Sequence, residues 1–170
     1  MNTGKEVIAS TQLFDKQFSL DGFTWTADNK EVIFEYNERG HKVYRVLAMS
    51  AQTGKVRTII EETATTFVNY PRHYRYDFAD TSKMIWMSER DNWNHLYMYN
   101  VSKGKVISQI TKGAWCVREV IKVDEKANTI YFSACGVNPN EDPYQIHYYR
   151  IGMDGKNMIC LTPAEGNHQA

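Results

Sequence analysis

The sequence predicts an all-β chain, a partial β-propeller of about three four-stranded antiparallel blades. Three observations predict it. A Gly-Lys turn pair recurs at Gly54-Lys55, Gly104-Lys105 and Gly155-Lys156, at spacings of 50 and 51 residues. Eleven Tyr, seven Phe and four Trp in 170 residues favour half-buried pleated surfaces. No segment sustains a 3.6-residue apolar period, so helices are expected to be minor; the one helix-compatible stretch, Glu61–Ala64, is too short to matter. Four-stranded units repeating every ~40–50 residues are the pattern of propeller blades. A β-sandwich is the competing architecture, but it has no reason to repeat one turn at a near-constant interval.

Each unit reads as four short strands. Asp28, Asp80 and Asp124 open polar turns that lead into apolar strands, a second marker common to the three copies. The first copy is expected to run Phe23–Thr26, Val32–Tyr36, Val43–Met49 and Val56–Ile60. The second runs Tyr74–Phe78, Met84–Ser88, His95–Asn100 and Val106–Ile110. The third runs Val117–Val123, Thr129–Ala134, Tyr144–Ile151 and Met158–Leu161. Alternation within Leu96–Tyr99 and Ile146–Arg150 supports the strand assignment. Residues 1–20 are then a lead segment, 21–63, 74–111 and 117–162 the blades, and 163–170 the start of a further blade that is cut short. A propeller closes with roughly four to eight blades, so three leave open faces, and self-association through them is expected.

Composition narrows the function. Twenty basic and twenty acidic residues give no net charge, and no basic stripe is present, so nucleic acid is not an expected partner. No apolar run approaches the ~20 residues that span a bilayer, and the first residues lack the apolar core of a signal peptide. Cys116, Cys135 and Cys160 form no C-x-x-C pair and read as small core hydrophobes, with one disulfide left open. The five histidines have no spacing that would set two imidazoles on one strand or helix face, so neither a metal nor another cofactor is expected. His95 and His147 read as packing or ladder residues.

Trp86-Met87-Ser88-Glu89-Arg90-Asp91-Asn92-Trp93-Asn94-His95-Leu96-Tyr97-Met98-Tyr99 closely resembles the W-x-S-E-R-D-G-x-N-H-L-Y-x-Y stretch of the bacterial-type dipeptidyl peptidase IV family of serine peptidases. Gln109–Val117 is similar to the family's L-T-K-G-x-W-x-V segment, and Val123-Asp124-Glu125-Lys126 with Ile130-Tyr131-Phe132 to its V-D-E-K and the strand after it. Three motifs in order make the resemblance specific. It covers most of the chain from about Trp25 to Ala170.

The resemblance implies the last part of an N-terminal propeller of about eight blades. That propeller would shape access to a C-terminal α/β-hydrolase domain whose Ser, Asp and His release N-terminal dipeptides after proline or alanine. The implied partners are that hydrolase domain and a peptide substrate. For a parent of the bacterial type the cell envelope or periplasm is the expected place. No Gly-x-Ser-x-Gly elbow occurs in these 170 residues, so no catalytic residue is assigned and this chain alone is not expected to be an enzyme; the alternative reading is a stand-alone propeller-type protein-interaction scaffold.

Among binding candidates, Glu61-Glu62 invites comparison with the family's substrate-amine glutamates. Its neighbours, Ile59-Ile60 and Thr63-Ala64-Thr65, do not match that context, and the pair reads as a solvated turn. The Ser88–His95 motif reads as blade architecture, with Asp91-Asn92 in a tight turn and Trp93 covering the end of the core. The stronger candidate is Asn69–Tyr76 between the first two blades, where Tyr70, Arg72, Tyr74 and Arg75 alternate aromatic rings with cations. Such connections share a propeller face with the loops Glu89–Asn94 and Gly136–Pro143. Loops on a rigid scaffold collect binding residues, and Arg beside Tyr suits peptide carboxylate or carbonyl groups. Arg stacked on Tyr serves equally well as structural glue.

Overall fold

A computed structural model describes residues 6–168. They form three four-stranded antiparallel sheets with neighbour orders β1-β2-β3-β4, β5-β6-β7-β8 and β9-β10-β11-β12. The strands are β1 Gln17–Trp25, β2 Glu31–Glu38, β3 Val43–Ser50, β4 Val56–Thr63, β5 Arg75–Asp77, β6 Lys83–Ser88, β7 His95–Asn100, β8 Lys105–Gln109, β9 Cys116–Asp124, β10 Thr129–Cys135, β11 Ile146–Gly152 and β12 Ile159–Cys160. One 3-10 turn, Tyr70–Arg72, is the sole helical element among the described residues. The all-β class with four strands per unit is thus observed.

Both sequence markers have a conformational cause. Gly54, Gly104 and Gly155 sit in the hairpins before the fourth strands at φ of +70°, +60° and +78°, where a side chain is strained. At the other marker the aspartate accepts hydrogen bonds from backbone amides: Lys30 N–H to Asp28 Oδ1 (3.1 Å), Ser82 N–H to Asp80 Oδ1 (2.9 Å) and Ala127 N–H to Asp124 Oδ1 (3.0 Å). Each of these turns also carries one non-glycine residue at positive φ, namely Asn29, Thr81 and Asn128. Short polar side chains that bond locally make that conformation tolerable.

By contacts the chain divides into two compact units. Among the described residues, one comprises 6–72 with Ala79–Ser82 and Val101–Lys105, and the other comprises His73–Phe78, Lys83–Asn100 and 106–168. In the first unit, β2 and β3 are the central, most buried strands. Phe14, Phe34, Tyr36 and Leu47 form a buried cluster, with Phe14 edge-on to Phe34 at 5.5 Å. In the second unit, Ile85, Met87, Leu96 and Met98 of the β5–β8 sheet share one core with Val117, Ile130, Phe132 and Ile151 of the β9–β12 sheet.

Several expectations need correction. β1 begins at Gln17, six residues before the strand expected at Phe23. Most of β1 is exposed and its register slips twice, between Gln17 and Ser19 and again between Asp21 and Thr24, where Gly22 takes φ +60°, so no clean alternation marks it. β11 begins at Ile146 instead of Tyr144, which is 84% exposed, and β12 is only two residues long. Glu61 and Glu62 belong to β4 and not to a turn; Glu61 pairs with the Arg45 guanidinium at 2.5 Å. Trp93 does not cover the core: it is 40% exposed. The three cysteines are half-buried instead of core residues.

Candidate functional site

The segment 69–76 is built from two short local structures. Pro71 lies in the 3-10 turn, where its fixed φ costs nothing, and the Tyr70 ring stacks on His41 at 4.5 Å with 24° between planes. His41 is in turn edge-on to Phe18 at 4.7 Å, and its Nδ1 lies 3.0 Å from Asn37 Oδ1. Tyr70 is therefore held as one end of a three-ring stack. Arg72 is exposed, and its guanidinium makes no hydrogen bond or ion pair among the described residues.

Tyr74 and Arg75 belong to the other compact unit. The Tyr74 carbonyl accepts the Met87 amide at 2.9 Å, and its ring packs against the shared core. Burial pushes the Tyr74 phenol above its ordinary range, so it remains a neutral donor at physiological pH. Arg75 is committed within the chain. Its Nε and Nη2 donate to Asp77 at 3.0 and 2.7 Å, and its side chain is only 6% exposed. Of the two candidate cations, Arg72 has the exposure a peptide carboxylate or carbonyl requires, whereas Arg75 acts inside the fold.

The Ser88–His95 loop is organised from within. Asn92 takes φ +73°, Asp91 Oδ1 accepts the Trp93 amide at 3.3 Å, and Asp91 Oδ2 accepts Gln109 Nε2 at 2.6 Å. Although partial burial opposes it, these hydrogen bonds hold the Asp91 carboxyl below the usual carboxylate range. The Arg90 guanidinium lies 4.6 Å from the Tyr97 ring centroid and 5.4 Å from that of Tyr99. Sequence reasoning did not single out this stack, although the alternation Tyr97-Met98-Tyr99 beside Arg90 was a usable signal.

His95 is fully buried and satisfied at both ring nitrogens, Nδ1 at 3.0 Å from Thr111 Oγ1 and Nε2 at 3.0 Å from the Gly113 carbonyl. Because a carbonyl only accepts, Nε2 carries the proton and Nδ1 accepts from the Thr111 hydroxyl. Thr111 Oγ1 then accepts the Leu96 amide at 2.9 Å. The third sheet repeats the threonine half of the pattern, with Thr162 Oγ1 accepting the Tyr148 amide at 3.0 Å, whereas His147 Nδ1 donates to the Thr162 carbonyl at 2.6 Å instead of bonding the hydroxyl. The pairs His95/Thr111 and His147/Thr162 were visible in the sequence as a near-constant interval but went unread. No cluster of three or more His, Cys, Asp or Glu able to hold a metal occurs among the described residues.

The comparisons with known proteins match this arrangement of repeated sheets. The family profile described as the dipeptidyl peptidase IV (DPP IV) N-terminal region matches residues 1–170. The chain belongs to that family. A dipeptidyl peptidase 4 from Arthroderma otae is 37% identical over 76 residues, covering 45% of this chain and 9% of that relative. One from Trichophyton equinum is 44% identical over 76 residues with the same coverage, 45% and 9%. The crystal structure of Porphyromonas gingivalis dipeptidyl peptidase 4 superposes with a TM-score of 0.68 at 19% identity, covering 85% of this chain and 20% of that one. The chain thus spans about a tenth of those curated relatives and a fifth of the solved chain. In this DPP IV N-terminal region, the three sheets are the repeated units of the propeller region.

Proposed function

We propose that this chain is a non-catalytic portion of the propeller of a serine-type dipeptidyl peptidase. In this reading it shapes or gates access to an α/β-hydrolase domain carried elsewhere in the same protein. The parent would release N-terminal dipeptides with proline or alanine at the second position. The observation that carries the reading is the family match over the whole chain, combined with a sequence that holds no nucleophile elbow. Without a nucleophile and base in hydrogen-bond reach there is no acyl transfer. We take the blades as 21–63, 74–111 and 117–162, the first reaching back through β1 to Gln17, with 163–170 opening the next. Tyr70 and Arg72 are the residues proposed to face a peptide, while Tyr74 and Arg75 hold the same connection in shape.

The test is dipeptide release from a Gly-Pro or Ala-Pro chromogenic substrate by this chain and by the full-length parent. The reading expects turnover by the parent and none by the chain. Turnover that co-purifies with the chain, or a parent that is inert towards both substrates, would overturn it.

A further inference from the structure

Cys116 and Cys135 stand directly opposite one another where β9 and β10 close their ladder. Opposed residues in an antiparallel pair project from the same face. Both backbone groups of the next residue, Val117, turn to Asn94: its amide donates to the Asn94 carbonyl at 2.8 Å and its carbonyl accepts Asn94 Nδ2 at 2.9 Å. Cys116 therefore turns its own backbone groups towards β10, which makes this the wider kind of pair, with Cα atoms about 5.5 Å apart. That separation lies inside the roughly 4.4–6.8 Å that a disulfide spans. Both residues are half-buried free thiols, so a small reagent reaches them.

The surroundings hold this geometry. Trp115, preceding Cys116, is buried and stacks on Phe132 at 6.2 Å. Gly136 follows Cys135 at φ +75° and ends the strand, and a disulfide's shorter Cβ separation requires the pair to close by ~1–2 Å. Burial and the neighbouring Cys116 both push the Cys135 thiol up, against the pull of Arg118, so exchange will quicken as pH rises. Cys160 is placed differently. It lies in β12, at the opposite edge of the same sheet, with Tyr149 as its register partner.

We propose that Cys116 and Cys135 form a reversible dithiol–disulfide site, oxidised by exchange with a low-molecular-weight disulfide such as glutathione disulfide. One cysteine thiolate attacks the glutathione disulfide, forms a mixed disulfide and expels one glutathione thiolate. The second thiolate attacks the protein sulfur of that mixed disulfide, closes the Cys116–Cys135 bond and expels the other glutathione. The two protein thiols are oxidised, one disulfide reagent is reduced to two thiols, and the two thiol protons end on the released glutathiones. The bond ties the start of the edge strand β9 to β10.

The test treats the folded chain with glutathione disulfide, then alkylates it and maps the peptides without reduction. Expected are loss of two of the three alkylatable thiols, a peptide joining Cys116 to Cys135, and retention of a free Cys160. Cys116→Ser and Cys135→Ser are each expected to stop at a glutathione adduct, whereas Cys160→Ser still forms the link. In urea the preference for the Cys116–Cys135 pair is expected to fall away. Three thiols still alkylatable, a link that includes Cys160, a link only between chains, or the same pairing pattern in urea would each overturn the proposal.

Discussion

Ile8 and Gly54 meet backbone to backbone: the Ile8 carbonyl fills the space a side chain at Gly54 would need. The next contact along supports it, with the Ser10 amide donating to the Gly54 carbonyl at 3.0 Å. Gly104 stands in the same relation to Thr58, and Gly155 to Ile110, each carbonyl only 2.9 Å from where a Cβ would be. The recurring glycine is thus required twice over, by its positive φ and by a carbonyl at the same place in each repeat.

Gly104→Ala is accordingly expected to cost more than Gly40→Ala. Gly40 has φ +95° but nothing within 4 Å of an added Cβ, so its substitution carries the backbone term alone, about 1–2 kcal/mol. Gly104→Ala adds a collision with the Thr58 carbonyl, which is worth about 1–3 kcal/mol more by analogy with overpacked sites. Urea unfolding of both variants measures the difference. Equal losses would remove the packing half of the explanation.

Thr111→Val is expected to destabilise more than Thr162→Val. Losing the Thr111 hydroxyl leaves the Leu96 amide and His95 Nδ1 without partners in a fully buried setting, at about 1–3 kcal/mol for each orphaned group. At Thr162 the residue is half-exposed, and His147 bonds the backbone carbonyl, which the substitution keeps. Paired thermal or urea midpoints check the order.

Acid stability has a defined sign at Asp91. Its carboxyl is held below its ordinary value in the folded chain by Gln109 and the Trp93 amide, against the effect of burial. A depressed folded pKa contributes stability above the unfolded value, near 3.9, and loses it as pH falls through the folded value. Asp91→Asn removes this dependence. Wild type is therefore expected to lose stability faster than the variant as pH falls below about 4. Asp28 and Asp124 shift in the same direction, but both lie at the surface in exposed turns, and solvent screening leaves them a smaller share. Urea midpoints taken stepwise in pH provide the check, and parallel slopes would refute it.

Arg72 and Arg75 should separate in the parent. Arg72→Ala is expected to raise KM for the dipeptide substrate, by up to roughly tenfold (~1.4 kcal/mol), with kcat little changed. Arg75→Ala breaks the two-bond pairing with Asp77 and is expected to lower the melting temperature first. Steady-state kinetics beside thermal melts distinguishes the two, and an Arg72 variant with unaltered KM would remove that residue from the proposed peptide site.

Self-association is expected through the open faces of the first and third sheets, and the third offers the patch to test. Ile121 and Leu161, 49% and 46% exposed, line one apolar depression with Tyr131 and Tyr148. The isolated chain is expected to associate as its concentration rises, and Ile121→Glu combined with Leu161→Glu to reduce that association. Sedimentation velocity across a dilution series measures it. A wild-type chain that sediments as a monomer at every concentration would count against an adhesive face.

The class of fold, its repeat and most strand positions were legible from residues alone, because hairpins impose local chemistry. Gly54, Gly104 and Gly155 announce positive φ, and Asp28, Asp80 and Asp124 announce side chains that bond their own turn. Those requirements act within a few residues and so are written in order along the chain. The start of β1, the pairing of Glu61 with Arg45, the engagement of Arg75 by Asp77 and the opposition of Cys116 to Cys135 depend instead on register, bulges and burial. Residue type names a cation or a thiol. Only the folded sheet determines whether that group faces solvent, an internal carboxylate or another thiol, because its neighbours there come from distant parts of the chain.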